Sequence, residues 1–199
     1  MNLPNRLTVL RIMLIPLILL FLLPLPPCAA TASWNAFILS YGRIVAWILF
    51  SAASLTDLAD GRIARKRNQV TTLGKFLDPI ADKILVISVL IALIQTGRLP
   101  ALIAIIVIIR EFVITGLRLI AIDKGIVIAA GKMGKAKTVS QIVAILIVLA
   151  EPLLVMILGS RIPAVWFIRL GDLAMLTSVV LTLVSGYQYL RNGLLHLKE

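Results

Sequence analysis

Four aspartates on two adjacent predicted helices carry the clearest chemical signal in this sequence. Asp57 and Asp60 are three residues apart, and Asp78 and Asp82 are four apart, so each pair shares one face of a helix. Acidic side chains within an apolar, membrane-spanning sequence are costly and mark functional sites. Four converging carboxylates would repel one another unless cations lay between them. An all-oxygen ligand set favours Mg²⁺, Mn²⁺ or Ca²⁺ over zinc.

Small residues accompany these aspartates. Gly61 and Ala64 continue the face of the first pair, and Gly74 lies one turn before the second pair. A stripe without bulky side chains permits close approach by another helix or by a ligand such as a diphosphate. The alternative is that the acids only form ion pairs with the basic side chains around them, which are Arg62, Arg65, Arg67 and Lys83.

The composition shows what kind of element must position these residues. Hydrophobic residues make up 60% of the 199 residues and charged residues 15%, whereas soluble domains are close to half apolar and about a quarter charged. This surplus excludes a disordered chain, a nucleic-acid-binding tail and an ordinary cytosolic enzyme. With one cysteine, Cys28, and one histidine, His196, the chain also lacks the residues for a disulfide framework or a His-cluster metal site.

The sequence predicts an all-α, polytopic membrane protein in a single domain over residues 1–199. A spanning helix needs about 20 mostly apolar residues, and Pro, Gly and charged residues divide the chain into six such segments. A short interfacial helix over residues 2–10 is expected before the first of them. A secretory signal peptide ending near Cys28 is the other interpretation of the N-terminus. The expected spans are 12–23, 34–66, 73–95, 101–123, 135–158 and 164–189.

The basic residues predict the orientation and the partners. Lys and Arg number 20 against 9 Asp and Glu, a formal net charge of +11. They cluster on alternate turns and near both termini. This pattern predicts that the termini, and the helix ends that carry the four aspartates, lie on the cytosolic side of the cell membrane. Too little chain lies outside the membrane to hold nucleic acid. Anionic headgroups or phosphorylated small molecules are therefore the expected partners.

The aspartate segment resembles a family signature. Asp57-Leu-Ala-Asp60-Gly61-Arg-Ile-Ala64-Arg65, followed by eight residues, Gly74, three residues, Asp78, three residues and Asp82, is similar to the CDP-alcohol phosphotransferase motif at all eight defining positions. The resemblance implies a six-helix membrane enzyme, usually a homodimer. Such an enzyme moves a phosphatidyl or related group from a CDP-linked donor to an alcohol.

The resemblance also implies roles for individual residues. Asp57, Asp60 and Asp78 would hold two divalent cations, Mg²⁺ or Mn²⁺, while Asp82 would complete the metal site and act as the base on the acceptor hydroxyl. Residues bordering the CDP-lipid would be Gly61, Ala64, Arg65 and Gly74, with Thr71, Asn5 and Thr8 as weaker contacts. These carboxylates and cations suit displacement at phosphorus, which needs neutralised diphosphate oxygens and an aligned hydroxyl.

A second basic group predicts what the acceptor carries. Arg110 and Arg118 lie eight apart in an apolar helix, hence roughly on one face, and a buried guanidinium needs an anion. Lys135 and Lys137 open the next helix, and such a basic helix start is suited to anions. We expect these four residues to bind the acceptor's phosphate. The alternative is that Glu111 neutralises one arginine and that the lysines only anchor the helix at the membrane surface.

Three blocks resemble the members of this family that act on sn-glycerol 3-phosphate, namely residues 4–8, 74–83 and 110–118. The resemblance implies that the 1-hydroxyl of sn-glycerol 3-phosphate attacks the lipid-linked phosphorus of CDP-diacylglycerol and releases CMP. A cardiolipin synthase of the same family is the alternative within the class, since its acceptor is also anionic. A cation transporter is the alternative from a different class.

Overall fold

The computed structural model describes the backbone of residues 3–67, 72–123 and 132–198, and the side chains of residues 8–56, 80–123 and 133–193. Its described residues are helical with no strand, which confirms the predicted all-α class. The α-helices are α1 (Leu3–Leu22), α2 (Ala32–Phe37), α3 (Arg43–Arg67), α4 (Thr72–Gln95), α5 (Ala101–Asp123), α6 (Lys132–Leu158) and α7 (Ala164–Lys198).

The N-terminal helix differs from the prediction. The separate interfacial helix is wrong, because α1 runs without interruption from Leu3 to Leu22. Between Pro4, in the first turn, and Pro16 this helix contains no Gly or Pro, so nothing interrupts its hydrogen bonds at the expected boundary near residue 10. Its buried residues form one stripe at helical spacing, polar at the start and apolar afterwards: Thr8, Arg11, Ile15, Ile18 and Leu22.

The chain from Ala29 to Arg67 is helical throughout, but the type of helix changes along it. A 3₁₀ turn (Ala29–Thr31) leads into α2, and a π-helical stretch (Ile38–Gly42) joins α2 to α3. A Cβ atom on Gly42 would lie 2.2 Å from the carbonyl oxygen of Phe21. Glycine at this position therefore lets the segment approach the end of α1.

Helices α1, α3, α4 and α6 supply most of the core. α1 packs against α3 and α4, α6 packs against α3 and α7, and α5 packs against α7 and α4. Large side chains that are almost wholly buried come from α1, α3, α4 and α6 and form one apolar cluster: Ile18, Phe50, Leu90, Leu93, Ile145 and Leu149. Because α1 supplies part of this core, it is an integral element of the fold.

The outer surface is apolar, as expected of a membrane protein. Leu39 is 81% exposed, Phe112 71% and Met156 70%, and soluble proteins seldom expose such surfaces at length. Among the described residues, three helices are long and apolar enough to cross a membrane: Ala29–Thr56, Met133–Leu158 and Ala164–Gly193. A shorter apolar helix covers Thr8–Leu22.

An ionic network ties together the end of the bundle where α4 and α6 finish. Glu151 on α6 is 3% exposed and accepts hydrogen bonds from Arg43 on α3 at 2.8 Å and from Arg98 at 2.7 Å. Arg98, in the turn between α4 and α5, also pairs with Asp172 on α7 at 2.8 Å. The hydrogen bonds that Arg98 donates to Glu151 raise the pKa of its guanidinium above its usual range.

Candidate active site

Asp82 lies in the first half of α4, where that helix packs against α1. Its Oδ1 accepts a hydrogen bond from Nη1 of Arg11 at 2.6 Å. The side chain of Arg11 is 1% exposed, whereas that of Asp82 is 40% exposed. A buried cation on α1 therefore holds a carboxylate that opens to the surface of the bundle.

A cavity of about 170 Å³ opens beside Asp82 and lies between α4, α5 and α6. Val86, Ile87 and Val107 form its apolar wall. Its polar lining residues are Asp82, Lys83, Glu111, Lys137, Thr138 and Gln141. The cavity thus joins the predicted base to a group of basic and hydroxyl side chains.

Glu111 on α5 connects the cations near this cavity. Its Oε1 accepts hydrogen bonds from Nζ of Lys137 on α6 and, at 3.0 Å, from Nη1 of Arg110. Lys83 on α4 donates to the hydroxyl of Thr115, which itself donates to the carbonyl oxygen of Glu111 at 2.6 Å. One turn of α5 therefore holds cationic side chains from α4 and α6.

The four residues predicted to bind the acceptor's phosphate differ in their exposure to solvent. Lys137, with a side chain 6% exposed, lines the cavity, and Arg110 lies behind Glu111 with Nη2 3.1 Å from the Ser185 hydroxyl. Arg118 is exposed, and its guanidinium lies 5.9 Å from the centre of the Tyr189 ring. Lys135 is also exposed. The structure brings Lys137 and Arg110 together through Glu111.

The metal ligands predicted on α3 and α4 are only partly described. Asp57, Asp60 and Asp78 lie within helical backbone, but their side chains are outside the described residues. The helical backbone keeps each aspartate pair on one face, and only four residues of sequence separate the last residue of α3, Arg67, from the first residue of α4, Thr72. Among the described side chains, no three His, Cys, Asp or Glu gather around a metal position. Four carboxylates fit a hard divalent cation.

The predicted CDP-lipid contacts differ in how much of each residue the structure describes. Thr8 is described, is 1% exposed and lies on the same buried stripe of α1 as Arg11. Thr71 lies outside the described residues. The others lie in helical backbone with side chains outside the described residues: Asn5, Gly61, Ala64, Arg65 and Gly74.

Comparison with known proteins decides the family. The model of the CDP-alcohol phosphatidyltransferase family matches residues 1–184. The chain belongs to this family. The match contains the whole aspartate segment, Asp57 to Asp82, and it confirms the resemblance on which the site residues were assigned.

Curated relatives of this CDP-alcohol phosphatidyltransferase are similar over nearly their full length. A CDP-diacylglycerol–glycerol-3-phosphate 3-phosphatidyltransferase of Bacillus subtilis (strain 168) is 41% identical over 193 residues, covering 94% of this chain and 93% of the relative. A Pseudomonas fluorescens protein of the same name is 39% identical, covering 100% and 93%. A probable phosphatidylglycerophosphate synthase of Mycobacterium tuberculosis (strain H37Rv) is 36% identical, covering 97% and 82%.

Three polar residues of the candidate site are not predicted by the sequence pattern as site residues: Arg11, Glu111 and Gln141. The sequence predicts only a neutralising role for Glu111, and no role in the site for Arg11 or Gln141. Gln141 is 3% exposed and its amide lies 3.3 Å from the Thr182 hydroxyl. A polar side chain in an apolar helix is a signal that marks all three.

Proposed function

We propose that this chain transfers the phosphatidyl group of CDP-diacylglycerol to sn-glycerol 3-phosphate, giving phosphatidylglycerol phosphate and CMP. The observation that carries the proposal is the full-length similarity to relatives named for this reaction, at 34–41% identity. The cavity between Asp82 and Lys137 supports it, because it pairs a carboxylate with cations suited to a phosphorylated acceptor. Family membership argues against the cation transporter.

The chain's own residues can perform the displacement as follows. Lys137 binds the phosphate of the acceptor and directs its 1-hydroxyl towards Asp82. The hydroxyl oxygen forms a bond to the lipid-linked phosphorus while the bond from that phosphorus to the oxygen of CMP breaks. Asp82, oriented by Arg11 at 2.6 Å, accepts the hydroxyl proton. A mechanism of this kind needs positioning and charge neutralisation more than covalent catalysis.

Two divalent cations, Mg²⁺ or Mn²⁺, are part of the proposal. Asp57, Asp60, Asp78 and Asp82 would hold them. Their spacing on helical backbone and their all-oxygen chemistry support this assignment. Bound there, the cations would neutralise the diphosphate oxygens of the donor.

We further propose that the protein lies in the cell membrane with both termini and the aspartate end in the cytosol. The clustering of Lys and Arg supports this orientation. A homodimer is proposed from the family resemblance. Accessibility of single cysteines introduced at the chain termini tests the orientation, and light scattering of the detergent-solubilised protein tests the dimer.

A panel of acceptors tests the proposed reaction. Purified protein is given CDP-diacylglycerol, a divalent cation and one acceptor, and release of CMP is measured. We expect turnover with sn-glycerol 3-phosphate and little with glycerol, inositol or serine. Turnover with phosphatidylglycerol instead would identify a cardiolipin synthase. Equal turnover with all acceptors would contradict a site for the acceptor's phosphate.

A further inference from the structure

We propose that Glu111 is a positioning residue that sets the affinity for the acceptor by holding Lys137 and Arg110 in place for its phosphate. The inference rests on the proposed transfer to sn-glycerol 3-phosphate. It assigns a role to an acidic side chain that lies in an anion-binding cavity, where an acid would ordinarily oppose anion binding.

The contacts of Glu111 carry the argument. Its Oε1 is shared by Nζ of Lys137 and by Nη1 of Arg110 at 3.0 Å. The side chains of these three residues are 6–13% exposed, so water screens their charges poorly. Two cations in such a place repel each other unless an anion lies between them. Glu111 therefore permits Lys137, which lines the cavity, to stay near Arg110, which lies behind it.

The charge of the whole cluster fits one ligand class. Lys83, Arg110 and Lys137 contribute three positive charges and Glu111 one negative charge. Asp82, which also lines the cavity, forms an ion pair with Arg11 and adds no net charge, so the net charge is +2. A phosphate monoester carries about −1.5 to −2 charges at pH 7. Lys83 is held on the same turn of α5 through Thr115, whose hydroxyl donates to the Glu111 carbonyl oxygen at 2.6 Å. Glu111 thus organises a site whose charge a phosphate dianion neutralises.

Replacing the Glu111 carboxylate by a carboxamide distinguishes two possible roles. Glu111 either positions the cations or competes with the acceptor's phosphate for them. Glu111→Gln keeps the shape of the side chain but removes the charge that Lys137 and Arg110 share. If Glu111 positions these cations, KM for sn-glycerol 3-phosphate rises. If Glu111 instead occupies the cations until the phosphate displaces it, the same variant lowers that KM. The sign of the change decides between the two.

The experiment measures CMP release by purified wild-type and variant proteins while each substrate is titrated. For Glu111→Gln we expect KM for sn-glycerol 3-phosphate to rise roughly tenfold or more, the range set by charge-assisted hydrogen bonds. We expect kcat and KM for CDP-diacylglycerol to stay near their wild-type values. Asp123→Asn is the matched control, since Asp123 is an exposed acid at the end of the same helix. An unchanged or lowered KM in Glu111→Gln overturns the proposal.

A double-mutant cycle tests whether Glu111 acts through Lys137. Lys137→Met alone raises KM for the acceptor, and adding Glu111→Gln should raise it by a smaller factor than in the wild-type background, because one of the two residues being positioned is already gone. Fully additive losses would overturn the proposal. Glu111→Asp, which keeps the charge but is shorter, should show an intermediate KM and serves if the Gln variant does not fold. Absence of CMP release by the wild-type protein would count against the proposed function, not against this role.

Discussion

Arg11 and Asp82 lie 71 residues apart in sequence and form an ion pair of 2.6 Å between α1 and α4. The pair is asymmetric, because the arginine side chain is 1% exposed and the aspartate side chain 40% exposed. The buried partner is fixed by the surrounding helices, and the accessible partner faces the cavity that also contains Lys137. N-terminal helix α1 therefore determines where the candidate catalytic carboxylate points.

We expect Arg11→Met to lower kcat roughly 10- to 100-fold, the usual effect of removing a residue that orients a site group. KM for sn-glycerol 3-phosphate should change less, because Arg11 does not line the acceptor cavity. Arg11→Lys should recover part of the lost turnover, since an ammonium keeps the charge but not the guanidinium geometry. Initial rates of CMP release, measured while sn-glycerol 3-phosphate is titrated, give kcat and KM for the wild-type protein and both variants. Wild-type kcat in the Met variant would contradict this role.

Alanine at Asp57, Asp60 or Asp78 should abolish transfer, because each substitution removes a proposed metal ligand. The protein should still be purified as a folded helical species, which circular dichroism checks. Asp123→Ala is the control, because Asp123 is an exposed acid at the end of α5 and is not a proposed metal ligand. Chelation by EDTA should abolish the transfer activity of the wild-type protein, and added Mg²⁺ or Mn²⁺ should restore that activity. Normal activity in a folded variant of any of the three would remove the two-cation assignment.

Asp82→Asn should bind the donor better than the other aspartate variants and yet lose turnover. The amide keeps the size of the side chain and one oxygen ligand but cannot accept the hydroxyl proton. General base catalysis contributes about 10²- to 10⁴-fold, which sets the expected loss in kcat. Donor binding is measured separately from CMP release. Poor donor binding with high residual turnover would make Asp82 a ligand only.

Lys137→Met should raise KM for sn-glycerol 3-phosphate roughly 10- to 150-fold, since charge-assisted contacts contribute about 1.5–3 kcal/mol each. Arg118→Ala should cost less, because Arg118 is exposed and lies against Tyr189 at 5.9 Å. Arg118→Lys separates its charge from its two-point geometry. KM for CDP-diacylglycerol should stay near its wild-type value in all three variants. A larger effect of Arg118 on donor affinity would reverse the assignment of the two sites.

Gly171→Ala should lower the free energy of unfolding by about 1–3 kcal/mol, the usual cost of overpacking. A Cβ atom at Gly171 would lie 2.3 Å from Oε1 of Glu151 and 3.0 Å from Nη2 of Arg98. Gly116→Ala is the matched control, because nothing lies within 4 Å of its added Cβ. Thermal unfolding in detergent compares the two variants. Equal melting temperatures would show that the ionic network adapts to the extra methyl group.

Local sequence determined the elements that carry the site. The predicted bounds of α5, residues 101–123, agree with the observed helix Ala101–Asp123. Gly97, at φ 73°, and Pro100 define the turn before it through their own backbone preferences. The aspartate segment likewise indicated the family through its resemblance to a known motif, and its spacing places each pair on one helix face whatever the rest of the chain does.

Only the tertiary structure decided which side chains meet. The interruption predicted in α1 is absent, so Thr8 and Arg11 continue its buried stripe and bring a cation to Asp82. The sequence predicts Glu111 only as a neutraliser of a neighbouring arginine, yet it also binds Lys137, 26 residues further on. Contacts across such separations depend on how the helices pack and rotate against one another. Helical periodicity specifies a face but not the partner of that face.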